Sequence, residues 1–349
     1  MGNTEVIKST TARGRGKPYI AKPPFWRVDS PGDRETGRLP ILTAVGTTLP
    51  EAWMMAMFAL DGTGLSIPTS FDKESDPESL DGSVRITVQN PLQEPRLHKL
   101  AWPGFIQELE HYVREVVDGV HDHWIGQEID TKLWEYSYHE RLVLFKWREL
   151  VYNQYEGLVA QLIEEGKRGR LYRRRFQITT WIPEKDQRIG DPPCLQRIWL
   201  RFVPVQDGAW VMNVETDWRS RDGFKASFMN MYAIIEMCRI LAARLSEEIG
   251  VEIRFGLYVD SSNSLHVYGA DIMDEEAGNF HAVMARCDEQ DLSELVWNAS
   301  DFHDDFIAAR HLLHAQLISE RVHGIGKGVV CDWLEKAVPT LPYPPEWDN

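Results

Sequence analysis

The chain has 349 residues, with 53 acidic and 38 basic side chains and a formal net charge of −15 at pH 7. That excess argues against a general nucleic-acid or anionic-membrane surface, because phosphate is met by basic patches. Hydrophobic residues make up 43%, ample for the core of one large or two ordinary domains.

No run reaches the ~20 apolar residues of a membrane helix, and the N-terminus lacks a signal-peptide core. The four cysteines are widely spaced and form neither a disulfide framework nor a zinc pattern, so a reducing cytoplasm and no metal are expected. Residues 1–40 are rich in Gly, Pro, Lys and Arg and predict an extended or partly disordered arm, whose Phe25-Trp26 pair can dock on the body. The body, residues 41–349, reads as one domain. Thr48 predicts a helix N-cap, with Pro50 early in the helix and Glu51 completing a capping box. Its apolar face is Trp53, Met54, Met57 and Phe58, and Asp61-Gly62-Thr63-Gly64 ends it as a turn. Residues 65–82 are turn-rich, and residues 84–88 alternate as a half-buried strand.

Residues 104–118 predict a helix with Phe105, Leu109, Tyr112, Val113 and Val116 on one side and Gly119 as terminator. His121-Asp122-His123 has ligand-like spacing for zinc but no third clear ligand nearby, which favours a hydrogen-bonded loop. A helix is expected over 154–165 and strands over 175–181 and 196–205. Asp207-Gly208 is a hairpin signal that returns the chain as a strand over 209–215. This antiparallel pairing predicts an α+β fold. Residues 227–248 form the longest helical pattern, ended by Gly250, and its Met and aromatic residues read as core. A strand over 251–259 leads to Ser264-Leu265-His266-Val267-Tyr268. Beyond about residue 270 the chain is acidic, with helices expected over 292–297 and 301–318 and a Pro-rich end over 342–349.

The chemistry centres on Pro192-Pro193-Cys194-Leu195-Gln196-Arg197 and on Asp217-Trp218-Arg219-Ser220-Arg221-Asp222. Two prolines stiffen the approach to Cys194. A thiol with an ordinary pKa of about 8.5 needs a positive neighbour to be a nucleophile at neutral pH. Arg219, Arg221 and Arg197 are the candidates to supply it; the alternative is a buried, inert cysteine. The basic stretch 167–175 reads as a site for a small anion or as a solvated face.

In order, Pro192-Pro193-Cys194, Arg219-Ser220-x-Asp222, Asn230 and His266-x-Tyr268 resemble the signature of thymidylate synthases and the related pyrimidine-nucleotide hydroxymethylases. Arg174-Arg175, ahead of Phe176-Gln177-Ile178-Thr179-Thr180-Trp181, resembles the family's phosphate arginines. Gly46-Thr47-Thr48-Leu49-Pro50-Glu51-Ala52-Trp53 resembles the opening helix of the archaeal-type branch. The resemblance covers residues 100–270. It implies a thymidylate synthase-like α+β fold, with a mixed or antiparallel sheet packed by helices and one sheet face at a homodimer interface. The substrate it implies is a pyrimidine nucleoside monophosphate, with 5,10-methylenetetrahydrofolate as co-substrate and no nucleic-acid polymer or membrane as partner.

The resemblance also implies the roles. Cys194 adds to C6 of the base and turns C5 into a carbon nucleophile. Arg219 lowers the thiol pKa and binds phosphate with Ser220, while Arg174 and Arg175 reach that phosphate from the partner subunit. Asn230 reads the base, His266 and Tyr268 hold the sugar 3′-hydroxyl, Asp222 binds the pterin, and Tyr138 is the active-site tyrosine. The ordinary readings beside these are an aromatic surface loop for Tyr138, a satisfied strand histidine for His266 and a backbone-bonded Asn230. A glutamate should organise water near C5, and both Glu108 and Glu115 on one helix face qualify, with Glu115 favoured.

The sequence departs from the family pattern in three places. Leu195 stands where many members have His. No clean counterpart of the N-terminal phosphate arginine appears in residues 61–67, and the C-terminal tail diverges. Three functions stay open: a dUMP-methylating synthase, a 5-hydroxymethylase acting on dUMP, dCMP or CMP, and a non-catalytic nucleotide-binding paralogue.

Overall fold

The computed structural model describes residues 22–102, 104–129, 132–273 and 279–322. Arm residues 1–21 and the Pro-rich end 342–349 therefore lie outside the described residues. Nine strands make one mixed sheet: β1 (Phe25–Ser30), β2 (Ile41–Gly46), β3 (Leu65–Ile67), β4 (Ser79–Val88), β5 (Gln177–Thr179), β6 (Leu195–Pro204), β7 (Trp210–Trp218), β8 (Arg221–Asp222) and β9 (Ile253–Val267). Seven follow the order β1-β2-β4-β9-β7-β6-β5, with β3 on the start of β4 and β8 on the end of β9.

The run β5-β6-β7 is antiparallel, as the Asp207-Gly208 signal predicts. The pairs β2–β4 and β7–β9 are parallel, and parallel neighbours need a crossover that a helix can provide. Here α1 (Leu49–Thr63) follows β2, and the long helix over Ser227–Ile249 separates β7 from β9. The other main helices are α2 (Ile106–Asp118), α3 (Tyr138–Val143) and α4 (Gln154–Lys167) before that long helix, hereafter α5, then α6 (Phe280–Glu289) and α7 (His303–Val322).

Local chemistry sets the helix ends. Glu51 accepts the Thr48 N–H at 3.1 Å, the carboxylate half of the predicted capping box. Glu108 accepts the Phe105 N–H at 2.7 Å at the start of α2. Gly119 ends α2 in the left-handed region, at φ +67°, and a Cβ there would fall 2.1 Å from His139 Nδ1. Only glycine fits that position.

Along β6, Ile198, Leu200 and Phe202 are buried, whereas Arg197 and Val203 are exposed and Trp199 and Arg201 half-buried. Burial on one face and partial exposure on the other is the pattern of a sheet covered by helices on one side. α5 touches β9, α1, α2 and α4 and is buried all round over residues 230–238, as an apolar central helix segment must be, before its last turns meet solvent. Its Phe228 ring lies 5.4 Å from Trp102 and 6.1 Å from Trp53; truncating it would cost about 3–5 kcal/mol.

Several elements differ from expectation. Phe25–Ser30, within the stretch read as an arm, is an edge strand paired to β2, which was not anticipated either. The helix α6 was also missed. Finally β9 runs on through Asp260-Ser261-Ser262-Asn263 to Val267, beyond the strand expected over 251–259. The reason is tertiary: Asp260 is fully buried and bonded to side chains from β7 and β8.

Candidate active site

Cys194 is half-buried, one residue before β6. The diproline ahead of it has no N–H to offer, and its carbonyls are held from the end of β7. Arg219 Nε donates to the Pro193 carbonyl at 3.1 Å, and its Nη2 donates to the Pro192 carbonyl. The Arg219 backbone N–H donates to the Cys194 carbonyl at 2.9 Å. Arg219 thus fixes the loop that carries the thiol. Arg221 is committed elsewhere, in a buried bidentate pair with Asp260 and over the Trp218 ring at 4.6 Å. Asp260 also accepts from Thr216, Trp218 and Tyr258, at 3.0, 3.0 and 2.9 Å. Arg197 pairs with Asp217 at the exposed surface. Of the three arginines considered as the thiol's charge partner, only Arg219 touches its loop.

Tyrosines crowd the thiol. Tyr138, the first residue of α3, stands edge-on to Trp218 at 5.7 Å. Tyr136 lies 5.7 Å from Tyr138, near the Cys194 end of the loop. Burial first, and then Cys194 among other neighbours, pushes both phenol pKa values above the usual range. Tyr268 is pushed up to about 12, by burial and then by Asp222 and Cys194. The fully buried Arg141 anchors this wall: it donates to both Asp186 oxygens at 3.0 and 2.8 Å and to the Thr180 carbonyl at 3.2 Å.

A second group forms around Asn230. Asn230, in the first turn of α5, is buried, and its Nδ2 donates to the Tyr112 hydroxyl at 2.5 Å. A purely backbone-bonded Asn230 is therefore not what the fold contains. The Tyr112 pKa is raised by burial and then by Glu115. Glu115 Oε2 meets His121 Nδ1 at 3.0 Å. The two candidate glutamates are thus separated by environment, with Glu108 capping the helix and Glu115 turned to His121.

Asp222 Oδ1 accepts the Phe224 and Lys225 N–H groups, each at 2.9 Å. Burial, with Asp271 adding to it, raises its pKa to about 6 against those two bonds. The His266 ring lies 4.7 Å from the Tyr268 ring, and its Nδ1 is 3.3 Å from the Ser264 hydroxyl. Its Nε2 is buried without a hydrogen-bond partner, and burial lowers its pKa to about 4. Ser220 is half-buried between Arg219 and Arg221.

Arg174 and Arg175 are exposed just ahead of β5, at the edge of the sheet. Arg175 reaches the buried Glu165 at 3.1 Å, which Arg170 and Arg173 also contact at 2.9 and 3.0 Å. Neither arginine is among the contacts described for the Cys194 cluster. In the 121–123 loop, Asp122 accepts from the Ser137 hydroxyl and meets His139 Nδ1 at 2.7 Å. Among the described residues no group of three or more His, Cys, Asp or Glu is arranged to hold a metal, and no helix is long and apolar enough to cross a membrane.

Sequence reasoning missed Tyr112 and Tyr136. Tyr112 read as core, yet it lies three residues before Glu115 and so on the same helix face. Tyr136 stood two residues from Tyr138 in one aromatic run.

Cys194 thus sits on a loop pinned by Arg219 at the start of β6, while Asn230 and Tyr112 form one hydrogen-bonded pair and Glu115 and His121 another. No family model matches the chain. It is 27% identical over 188 residues to a Methanosarcina acetivorans protein named "Putative thymidylate synthase", covering 54% of this chain and 73% of that protein. Proteins of the same name from Methanosarcina barkeri and Methanocaldococcus jannaschii are 24% identical over 191 residues and 23% over 202 residues. Those matches span 54% and 56% of this chain and 73% and 79% of the relatives. The chain resembles the thymidylate synthase-like family over a little more than half its length.

Proposed function

We propose that the protein is a folate-dependent one-carbon transferase that methylates dUMP to dTMP through a covalent Cys194 adduct. The observation that carries this reading is the placement of Cys194 on a loop whose two proline carbonyls are both pinned by Arg219. In this reading the Cys194 thiolate adds to C6 of uracil, and the electron pair released at C5 attacks the methylene carbon of 5,10-methylenetetrahydrofolate. Loss of the C5 proton and expulsion of the folate nitrogen give an exocyclic methylene. Hydride from the tetrahydrofolate reduces it as the thiolate leaves, yielding dTMP and dihydrofolate.

The residues divide this work. Asn230 has a second N–H and a carbonyl oxygen for the base beyond its bond to Tyr112. Glu115 organises the water that handles protons at C4 and C5, and Tyr138 faces the ring. His266 offers its unpartnered Nε2 to the sugar with Tyr268. Arg219 keeps Nη1 for phosphate, beside Ser220. The second oxygen of Asp222 is left for the pterin. Arg174 and Arg175 supply phosphate contacts across a homodimer whose interface is the half-exposed sheet face, and a working thiol requires a reducing compartment, the cytoplasm.

The test is incubation with dUMP and 5,10-methylenetetrahydrofolate, with the nucleotide product weighed by mass spectrometry. A methyl product with dihydrofolate supports the synthase; 5-hydroxymethyl-dUMP with tetrahydrofolate assigns the hydroxymethylase instead. Cys194→Ser should abolish turnover and leave dUMP binding within about threefold, because the phosphate side chains are untouched. The 5-fluoro-dUMP adduct should map to Cys194. Recovery of that adduct on Cys238, Cys287 or Cys331 would sink the assignment.

A further inference from the structure

The loop after α2 brings one side chain against Glu115 that the chemistry above does not use. His121 is 7% exposed, and its Nδ1 meets Glu115 Oε2 at 3.0 Å. The imidazole lies flat on Trp124, with centroids 3.9 Å apart and planes 6° apart, and takes Trp134 at its edge at 6.2 Å. Its Nε2 is buried without a hydrogen-bond partner. A ring gripped on its face and edge has one orientation, and that orientation aims Nδ1 at the carboxylate.

The surroundings keep His121 turned to Glu115 rather than to its neighbours. Asp122, the adjacent acid, is taken by Ser137 and His139. Tyr112, the other group close to Glu115, bonds Asn230. The remaining titratable groups nearby are His111 on α2, whose imidazole contacts the Ala309 carbonyl at 3.3 Å, and His123 of the same loop. Gly119 is what permits the tight exit from α2 that places this loop beside α3. The residue after the nucleophile is Leu195 and carries no polar group, so no imidazole reaches the base site from that side.

We propose that His121 is the positioning residue for Glu115: it holds one carboxylate oxygen by Nδ1–H and leaves the other for the water at the base. This rests on the reading of Glu115 as the proton-handling group. A carboxylate free to swing by about 1 Å at such a site forfeits up to ~100-fold in rate, whereas nucleotide affinity, which depends on Arg219 and Asn230, is little changed.

The experiment is a double-mutant cycle on the full chain, reading kcat and KM for dUMP with 5,10-methylenetetrahydrofolate. Glu115→Gln should lower kcat by about 10²–10⁴-fold, the usual range for losing a general base. His121→Leu should lower kcat by ~10–100-fold with an unchanged KM. The double variant should be no slower than Glu115→Gln, because His121 acts through that carboxylate. His121→Asn, which returns an N–H at the δ position, should recover most of the loss, and His121→Gln, one bond longer, should not. Each variant's fold is checked by thermal melting and by dUMP binding; if His121→Leu does not fold, the Asn and Gln pair decides. A wild-type kcat in His121→Leu overturns the proposal, as do losses that multiply in the double variant or an Asn variant no better than Gln. A wild-type kcat in Glu115→Gln overturns the reading of Glu115 itself, which is a separate result.

Discussion

Replacing Asp222 by Asn tests the electrostatics of the site in one atom. The amide keeps an acceptor for the Phe224 and Lys225 N–H groups and removes the charge that burial disfavours. The carboxyl has a pKa of about 6 in the fold against about 3.9 in an unfolded chain. An acid whose pKa is raised by folding binds its proton more tightly when folded. Its contribution to stability is therefore complete below pH ~3.9 and is lost as pH rises through ~6. Two units correspond to about 3 kcal/mol at most, and residual solvent at this half-buried group reduces that to about 1–2 kcal/mol.

Asp222→Asn should then match the wild type near pH 4 and exceed it by about 1–2 kcal/mol at pH 7.5. Urea unfolding followed by tryptophan fluorescence at both pH values reads the difference directly. The same variant should lose turnover, because the pterin loses an ionisable partner: stability and activity move in opposite directions. An Asn variant less stable than wild type at pH 7.5, or a difference that does not change with pH, would refute the burial argument.

Asn230→Asp should shift preference from dUMP towards dCMP, since a mismatched buried polar pair costs about 1–3 kcal/mol, or roughly 10–100-fold in kcat/KM. Competition between the two nucleotides reads this, and an unchanged preference counts against Asn230 as the base reader. Arg175→Ala and Cys194→Ser proteins, each inactive, should regain up to about a quarter of wild-type activity when mixed, since a random mixed dimer holds one intact site. No recovery after verified subunit exchange rules out a shared site.

Legibility followed sequence distance. The helix α1 announced itself through Thr48, Pro50 and Glu51, all within four residues, and the β6–β7 hairpin through Asp207-Gly208. Cys194 stood out because two prolines and a strand frame it. What stayed hidden depends on partners far along the chain. Residues 260–263 are polar, and side chains 39 to 44 residues away, those of Arg221, Trp218 and Thr216, make Asp260 a buried strand residue. Phe25–Ser30 has charged and polar residues within six positions, and only its ladder with β2 makes it a strand. Glu108 and Glu115 share a helix face in sequence, yet the backbone N–H of Phe105 and the ring of His121 separate their surroundings.

The loop bearing Cys194 shows why arginine rather than lysine suits position 219. Pro192 and Pro193 leave two carbonyls and no N–H groups, so the loop can be fixed only by a donor from elsewhere. One guanidinium reaches both carbonyls from Nε and Nη2 and still has N–H groups on Nη1, a division that the compact ammonium of lysine does not offer. The arginine is also tied through its backbone to Cys194. A substrate phosphate held, as proposed, by the remaining N–H groups would be placed relative to the thiol by a short path, the backbone bond from Arg219 to Cys194. On the proposed mechanism, anchoring the substrate and placing the nucleophile would be one mechanical task carried by a single side chain.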